Sequence, residues 1–320
     1  MSRVDPWDVI SRVAARQDGV VTAEQCRQAG VSASDVKRLC RSKEWIRLNR
    51  SAYLVRAKPD GDPPRRSVIR AALLSAGPNA VATLATAAEL HGIAGMRRDD
   101  DVHVSLPGSQ ARNRRFTEPG VRLHQLVLRP GETTTVDGID ATTPVRTLAD
   151  LVRRVDRLTA VSLLDSSLNR RILVAEDLDL VKEMMVGRRG ASRARPWFAE
   201  TDARAESPLE TRVRLRACDG GVPPDELQYR VRNRNGDIVA IADLAWVRAR
   251  VIGEADGFEA HDNPVAVFRD RKRQNDIVKA GFNPVRFTWE DTLTPDYIPS
   301  VVRAAIAESA RRHADESAVA

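Results

Sequence analysis

The sequence has few cysteines and few aromatic residues, and it contains no long apolar run. Its three cysteines, Cys26, Cys40 and Cys218, are far apart and form no CxxC pair. That pattern argues against a disulfide framework and against a cysteine zinc site, so we expect all three to be buried as small apolar side chains. A membrane helix needs about eighteen consecutive apolar residues, and the start "MSRVDPWDVI" carries acids where a signal peptide would be basic and then apolar. The sequence therefore predicts a cytoplasmic protein that does not enter a membrane.

The 320 residues are 42% hydrophobic and 30% charged, which is typical of soluble globular proteins and allows two or three domains. The positive charge is concentrated at the start of the chain. Residues 1–56 hold eleven Lys and Arg against six Asp and Glu, whereas residues 201–320 hold eighteen against twenty. This asymmetry favours a phosphate-binding surface in the first segment. A solvated basic face is the alternative.

Three short helices are predicted in the basic segment. "PWDVISRVAARQ" has apolar residues at helical spacing, Thr22 can cap "AEQCRQA" before Gly30, and Ser32 can cap "ASDVKRLCRSK". One face of the third helix is apolar, while Ser34, Lys37, Arg38 and Arg41 recur on the other face. That polar face is the candidate surface for DNA.

A basic hairpin follows the third helix. "EWIRLNRSAYLV" reads as two short strands that carry Arg47 and Arg50. Helix, helix, helix and hairpin is the order of a winged helix, in which the last helix enters the major groove; a small helical domain for protein contacts is the alternative. The segment from "GVVT" through "AGVS" to "YLV" resembles the winged helix of AbiEi-type antitoxins, and the resemblance implies a DNA-binding autorepressor that has a cognate toxin.

A mixed α and β domain is predicted for the middle of the chain. "DGDPPRRS" reads as a linker, followed by helices near 67–76 and 83–91, strands near 102–106 and 121–128, and a hairpin with its turn at Asp137 and Gly138. Two amphipathic helices come next, and "TPVRTLADL" extends the resemblance to AbiEi-type antitoxins. His91, His103 and His124 are far apart in sequence and are expected to be separate structural histidines without an acidic cluster. "GRRGASRARP", at 187–196, reads as a flexible basic linker.

The C-terminal region has the order helix, three strands, helix and strand. Ser207 and Pro208 begin the first helix, Asn235 and Gly236 form a hairpin turn, and Gly281 ends the second helix. Neighbouring strands lie about 5 Å apart, so the acids late in "IVAIADLAW" and "ARVIGEA" should meet and could bind Mg²⁺. Neutralisation of these acids by the Arg-rich helix, through residues such as Arg269 or Lys272, is the alternative.

The same region resembles the PD-(D/E)XK nucleases, in particular the branch similar to very-short-patch repair endonucleases. The resemblance implies metal binding by Asp243 and Glu254, and a catalytic contribution from His261. Asp256 departs from the pattern, because it stands where many members have a lysine. As a carboxylate close to Glu254, it is predicted to be a further metal ligand. Glu210 matches a metal-binding glutamate of that superfamily, and it also fits a capping box with Ser207.

We therefore expect an α+β protein with three domains: a winged helix at 1–58, an antitoxin-like domain at 66–186 and an αβββαβ restriction-endonuclease-like domain at 203–312. The first hypothesis is a DNA endonuclease that uses Mg²⁺ or Mn²⁺. The second is an AbiEi-like repressor and antitoxin in which the nuclease fold is non-catalytic. Both require double-stranded DNA as a partner, the second adds a toxin, and the oligomeric state is left open.

Overall fold

The fold is seen in a computed structural model, which describes residues 5–55, 61–97, 99–106, 118–256 and 264–319. Side chains are described for these residues except 264–270, 313 and 315–319. The chain divides into two compact units, one comprising residues 1–151 and 180–185, the other residues 152–179 and 186–320. The three-domain division stays a prediction, but the helix Arg157–Asn169, placed in the middle domain above, belongs to the second unit.

The first unit begins with the predicted helices and hairpin. Its elements are α1 Pro6–Ala15, β1 Val20–Thr22, α2 Ala23–Ala29, α3 Ala33–Arg41, β2 Trp45–Arg47 and β3 Ala52–Val55. The strands form an antiparallel sheet in the order β1-β3-β2. Its core contains Ile10, Val21, Val36, Leu39 and Trp45. This is a winged-helix-like arrangement.

Local capping explains where α2 and α3 begin. Thr22 Oγ1 accepts a hydrogen bond from the N–H of Gln25, and the Gln25 side chain accepts one from the N–H of Thr22, which completes a capping box. Ser32 Oγ accepts from the N–H of Asp35. Gly30 ends α2 with a φ of +88°, in the left-handed region that favours glycine.

The rest of the first unit contains a mixed five-stranded sheet in the order β6-β5-β4-β8-β7. Its elements are α4 Arg65–Ala76, β4 Val81–Ala82, α5 Leu84–His91, β5 Val102–Ser105, β6 Val121–His124, β7 Thr133–Val136, β8 Ile139–Thr142 and α6 Pro144–Leu151. The predicted linker at 60–67 is wrong at its end, because α4 begins at Arg65. Arg66 and Arg70 of α4 bind the carboxylate of Asp18 at 2.6 and 2.8 Å.

A buried ion pair explains the polar residues of "TPVRTLADL". Arg146 is fully buried on α6, where Nε lies 2.7 Å from Oδ2 of Asp150, one turn later, and the guanidinium also contacts Glu132. Arginine can donate several hydrogen bonds in fixed directions, so burial of its charge requires such paired acceptors. The motif is thus a structural feature of the first unit.

The second unit contains helices and a four-stranded sheet in the order β12-β11-β10-β9. Its elements are α7 Arg157–Asn169, α9 Ala191–Ala194, a 3₁₀ helix Arg195–Glu200, α10 Pro208–Asp219, β9 Glu226–Arg232, β10 Ile238–Trp246, β11 Val251–Ala255, α11 Pro264–Lys279, β12 Asn283–Phe287, a second 3₁₀ helix Glu290–Leu293 and α12 Tyr297–Val319. Helix α8, Asp177–Met185, crosses the division between the units. Strands β9, β10 and β11 pair antiparallel, and β12 runs parallel to β11.

The segment 187–196 is not the flexible linker that its composition predicts. It contains α9 and leads directly into the first 3₁₀ helix, and Ala194, Trp197 and Phe198 are buried. A Cβ on Gly190, whose φ is +90°, would lie 2.2 Å from the carbonyl oxygen of Arg153. Close packing therefore fixes this segment.

Two further expectations need correction. Cys26 is buried, but Cys40 is only half-buried and Cys218 is exposed, so the cysteines do not share one environment. His103 and His124 are brought together because β5 and β6 pair in parallel. Their rings stack with centroids 5.0 Å apart, and Nδ1 of His103 lies 2.9 Å from Nε2 of His124. His103 Nε2 also lies 2.9 Å from Oδ2 of Asp99, so this pair does have an acidic neighbour.

Candidate nucleic-acid interface and carboxylate cluster

The basic face of α3 is exposed as a whole. Val36 and Leu39 point into the core, while the side chains of Ser34, Lys37, Arg38 and Arg41 lie in solvent. Within the part of the chain that the structure describes, the ion pairs include none made by Lys37, Arg38 or Arg41. These three cations are available for an anionic partner because the fold does not use them.

The two arginines of the hairpin have different environments. Arg47 donates hydrogen bonds from Nε to the carbonyl of Asn49, at 3.1 Å, and from Nη2 to the carbonyl of Arg50, at 3.2 Å. It therefore shapes the turn between β2 and β3. The guanidinium of Arg50 is exposed, and the acid that it pairs with among the described residues is a distant one, Glu118, at 3.9 Å. Arg50 is thus the more available of the two for a phosphate.

The second candidate site lies on the sheet of the second unit. Leu244 of β10 pairs with Gly253 of β11, so one further step along this antiparallel register brings Asp243 opposite Glu254. Asp243 Oδ2 accepts a hydrogen bond from the N–H of Ala255 at 2.7 Å. Asp256 follows directly after β11. The pairing of β10 and β11 thus brings together three of the four acids named from the sequence.

Asp243, Glu254 and Asp256 form what we call the carboxylate cluster, and burial governs the protonation of two of them, Asp243 and Glu254. Glu254 is 3% exposed. The pKa of Glu254 is raised, chiefly by burial and also by the neighbouring acids. The charges of Arg273 and Arg286 oppose this shift. Burial also raises the pKa of Asp243, against the hydrogen bond from Ala255 and the charge of Arg273. The cluster is therefore a place where negative charge is costly without a cation.

Two arginines supply that cation. Nη2 of Arg273, on α11, lies 2.9 Å from Oε1 of Glu254 and also donates to the carbonyl of Ile241 at 2.6 Å. Arg286 of β12 pairs in register with Glu254, and its guanidinium lies 3.4 Å from Oε2 of Glu254 and 3.5 Å from Oδ2 of Asp256. Although Oε1 of Glu254 forms an ion pair, its hydrogen-bond geometry is poor, and it accepts no aligned hydrogen bond. Both oxygens of Glu254 therefore face guanidinium groups.

These partners were not identified from the sequence. Lys272, one of the two named there, pairs with Asp276 at 3.0 Å, and the side chain of Arg269 lies outside the described residues. The register of the parallel pair β11 and β12 is what places Arg286 beside Glu254. The alternation of residues along "PVRFTW" indicates a strand, but it does not show which residue lies beside Glu254 unless the register of the strand is known.

Glu210 lies on α10, near this cluster. Its Oε2 accepts hydrogen bonds from the N–H of Glu206 and from Nε2 of Gln228, both at 2.9 Å. Ser207 Oγ accepts from the N–H of Glu210, at 3.2 Å, but the reciprocal bond to the N–H of Ser207 is replaced by the bond to Glu206. Burial, aided by Asp243, raises the pKa of Glu210 to about 7.

The carboxylate cluster does not fit a metal ion as it stands. Among the described residues, no three His, Cys, Asp or Glu side chains form a group that could hold one. His261 lies outside those residues. A divalent cation prefers several carboxylate oxygens in direct contact, and here the oxygens of Glu254 already face Arg273 and Arg286. Metal binding at Glu254 would require Arg273 to move.

Family models match two segments of the chain. Residues 8–56 match "Transcriptional regulator, AbiEi antitoxin", and residues 80–196 match "AbiEi antitoxin C-terminal domain". Together the two matches cover more than half of the sequence. The chain belongs to the AbiEi antitoxin family. Both matches end before the carboxylate cluster, so the family models do not address it.

Two relatives of this AbiEi-family chain occur in Mycobacterium tuberculosis. They are "Uncharacterized protein MT2308", from strain CDC 1551 / Oshkosh, and "Uncharacterized protein Rv2248", from strain ATCC 25618 / H37Rv. Each is 30% identical over 244 residues, which is 76% of this chain and 84% of the relative. The crystal structure of the RV2827C protein from Mycobacterium tuberculosis aligns with 63% of this chain and 84% of its own, at 15% identity and a TM-score of 0.36. That score is too low to indicate a shared fold.

None of the helices in the described ranges has the length and apolar character that crossing a bilayer requires.

Proposed function

We propose that this AbiEi-family chain is a transcriptional regulator and antitoxin whose winged helix binds double-stranded DNA. The observation that carries the proposal is the face of α3, where Lys37, Arg38 and Arg41 are exposed while Val36 and Leu39 pack inside. A helix fits the major groove of B-DNA, and cations on its exposed face can reach the flanking phosphates. The family match over residues 8–56 supports the same assignment.

The hairpin would act as the wing. Arg47 holds its turn through two backbone carbonyls, so the proposed role of Arg47 is to position the wing. Arg50, at the tip, would contact the DNA backbone, and the hydroxyl of Ser34, at the start of α3, would donate to a phosphate in place of its present partner, Ser32 Oγ, at 2.7 Å. Such contacts set orientation on the duplex and contribute affinity that depends on salt.

Membership in the AbiEi family also supports a cognate toxin as partner, and repression of the protein's own promoter. The matched segment 80–196 would provide the antitoxin part. Co-expression of the chain with a candidate toxin encoded beside it tests this directly. Rescue of growth by the full chain is the expected result, and continued toxicity would contradict the antitoxin assignment.

We further propose that the C-terminal elements form a restriction-endonuclease-like core that is non-catalytic. The order α10, β9, β10, β11, α11, β12, with β12 parallel to β11, supports the fold. Arg273 and Arg286 support the loss of catalysis, because they neutralise Glu254 where a nuclease would need a metal ion. The proposed role of this core is structural.

A metal-dependent endonuclease is the second candidate function. Its supporting observation is the placement of Asp243 and Glu254 on paired strands, with Asp256 two residues further on. In that case these three acids and Glu210 would hold Mg²⁺ or Mn²⁺, whose chemistry is to polarise a phosphate and activate water. His261 would then serve as the general acid or base.

One gel distinguishes the two candidates. The full chain is incubated with the DNA upstream of its own gene in Mg²⁺ or Mn²⁺, beside Asp243→Ala and Glu254→Ala. The regulator predicts DNA that is retarded but remains intact with all three proteins. Cleavage by the wild type that disappears in both variants would instead assign the endonuclease, and absence of retardation would contradict both candidates.

A further inference from the structure

The winged helix contains a cavity whose apolar interior the proposed function does not use. It has a volume of about 660 Å³ and lies among α2, α3 and the hairpin. Pockets for small ligands have volumes of about 300–1,000 Å³ and combine a mainly apolar lining with a few polar groups. This cavity has the size of a small-ligand site and is lined in part by α3, the helix that carries the proposed DNA-binding face.

The floor of the cavity is apolar. Cys26, Val31 and Val36 are buried there, and Cys40 and Tyr53 are half-buried. Burial raises the pKa of Cys26 to about 11 and also raises the pKa of Cys40, so both thiols are neutral at physiological pH. An occupant must therefore present an apolar body to this floor, because a buried polar group without a partner would be costly.

The rim of the cavity is positive. Lys37, Arg41 and Arg47 line it, and no Asp or Glu is among the described residues of its lining. Arg27, the fourth basic residue of the lining, is already paired with Glu24, with Nε 2.9 Å from Oε2. An apolar floor below a positively charged rim is complementary to a small molecule that has an apolar body and one anionic group.

We propose that this cavity binds a small amphipathic anion, such as a medium-chain carboxylate, and that occupancy weakens DNA binding. The second part rests on the proposed function, because Lys37 and Arg41 are there assigned to DNA phosphates. One ammonium or guanidinium group held by a carboxylate is less available to a phosphate. The ligand and the DNA thus compete for the same two cations, and by linkage each lowers the affinity for the other.

Ligand binding is tested first without DNA. The fluorescence of anilinonaphthalene sulfonate, an amphipathic anion, is titrated with the full chain, and octanoate or 1-octanol is then added. The expected result is saturable binding that octanoate reverses at a concentration about ten-fold below that of 1-octanol, because only octanoate can engage the rim. No saturable binding, or equal displacement by the two competitors, would overturn the proposal.

Two variants locate the site. Cys40→Phe places a ring in the apolar floor of the cavity while leaving the cations of α3 in place, so it should weaken binding of the probe. Lys37→Gln keeps the cavity but removes a rim charge, so displacement by octanoate should weaken while displacement by 1-octanol should not. Circular dichroism establishes that each variant is folded; if Cys40→Phe is not, Lys37→Gln alone decides. If the folded variants bind the probe and octanoate as well as the wild type does, the assignment of the site to this cavity is contradicted.

The link to DNA is measured separately by fluorescence anisotropy. Saturating octanoate should raise the Kd for DNA by about five-fold or more, relative to acetate at the same ionic strength. Folded Cys40→Phe should bind DNA as the wild type does and should not respond to octanoate. An unchanged Kd for the wild type would overturn the competition. If the wild type does not bind DNA even without octanoate, the proposed function is contradicted instead. A failure of the ligand proposal can therefore be distinguished from a failure of the proposed function.

Discussion

Oε1 of Glu254 lies 2.9 Å from Nη2 of Arg273, and this pair provides a cation for the most buried acid of the carboxylate cluster. The contact joins β11 to α11, and Arg273 also donates to the carbonyl of Ile241 on β10. A buried carboxylate that loses its partner is left uncompensated in a medium of low dielectric constant. The pair should therefore contribute to the stability of the second unit.

Replacing Arg273 with Met tests this contribution. We expect the free energy of unfolding to fall by about 1–2 kcal/mol, below the 3–5 kcal/mol typical of fully buried pairs, since Arg273 is 38% exposed and Arg286 remains beside Glu254. Urea denaturation measures the change. Lys272→Met is the matched control, because its pair with Asp276 is exposed and should contribute less than about 1 kcal/mol. Equal effects of the two variants would contradict the account.

The second prediction concerns Glu210 and pH. Burial raises its pKa from 4.5 to about 7, so between these values the folded state binds a proton that the unfolded state has released. Stability from this group is therefore full at low pH and is lost as the pH rises from 4.5 to about 7. Glu210→Gln keeps an acceptor for Glu206 and removes the charge.

Denaturation at pH 4 and pH 8 measures this effect. The variant should gain up to about 3 kcal/mol over the wild type at pH 8, since each pKa unit corresponds to about 1.4 kcal/mol, and should differ little from it at pH 4. A stability difference that is the same at both pH values would show that Glu210 is not the group responsible.

The third prediction tests the packing of the segment 187–196. Gly187 and Gly190 both have positive φ, of +73° and +90°, but only Gly190 has backbone in the way of a Cβ, at 2.2 Å from the Arg153 oxygen. Gly187→Ala should lower the free energy of unfolding by about 1–2 kcal/mol, because alanine is strained at a positive φ. Gly190→Ala should lower the free energy of unfolding by at least about 2 kcal/mol more than Gly187→Ala, because the backbone must move to accommodate the Cβ. Similar stabilities, measured by thermal unfolding, would favour the flexible linker.

Local signals explain how much of the fold could be predicted from the sequence. The caps at Thr22 and Ser32, the stop at Gly30 and the turn at Asp137 and Gly138 depend on neighbours a few residues away, and each element lies where these residues indicate. The element order of the C-terminal region was predictable for the same reason. Such signals are encoded within single turns of the chain.

Other contacts, which depend on the register of parallel strands or on packing, could not be predicted. Arg286 faces Glu254 only because β12 pairs in parallel with β11, and His103 meets His124 only because β5 and β6 are parallel neighbours. The composition of 187–196 indicated a linker, but the burial of Trp197 and Phe198 just after it holds the segment in place. The partners of the carboxylate cluster were therefore missed, although its acids were identified.

The central claim is that the exposed cations of α3 bind DNA phosphates. The most direct measurement is fluorescence anisotropy with the DNA upstream of the gene, at several salt concentrations, for the wild type and for Lys37→Gln/Arg38→Gln/Arg41→Gln. Arg230→Gln/Arg232→Gln/Arg234→Gln removes the same charge from exposed positions in the second unit and is the matched control.

We predict that the α3 variant loses affinity and that its slope of log K against log salt is less steep by up to about 3, since each phosphate contact contributes about 0.9. The control should keep the affinity and slope of the wild type. An α3 variant that binds DNA as the wild type does, with the same salt dependence, would contradict the account.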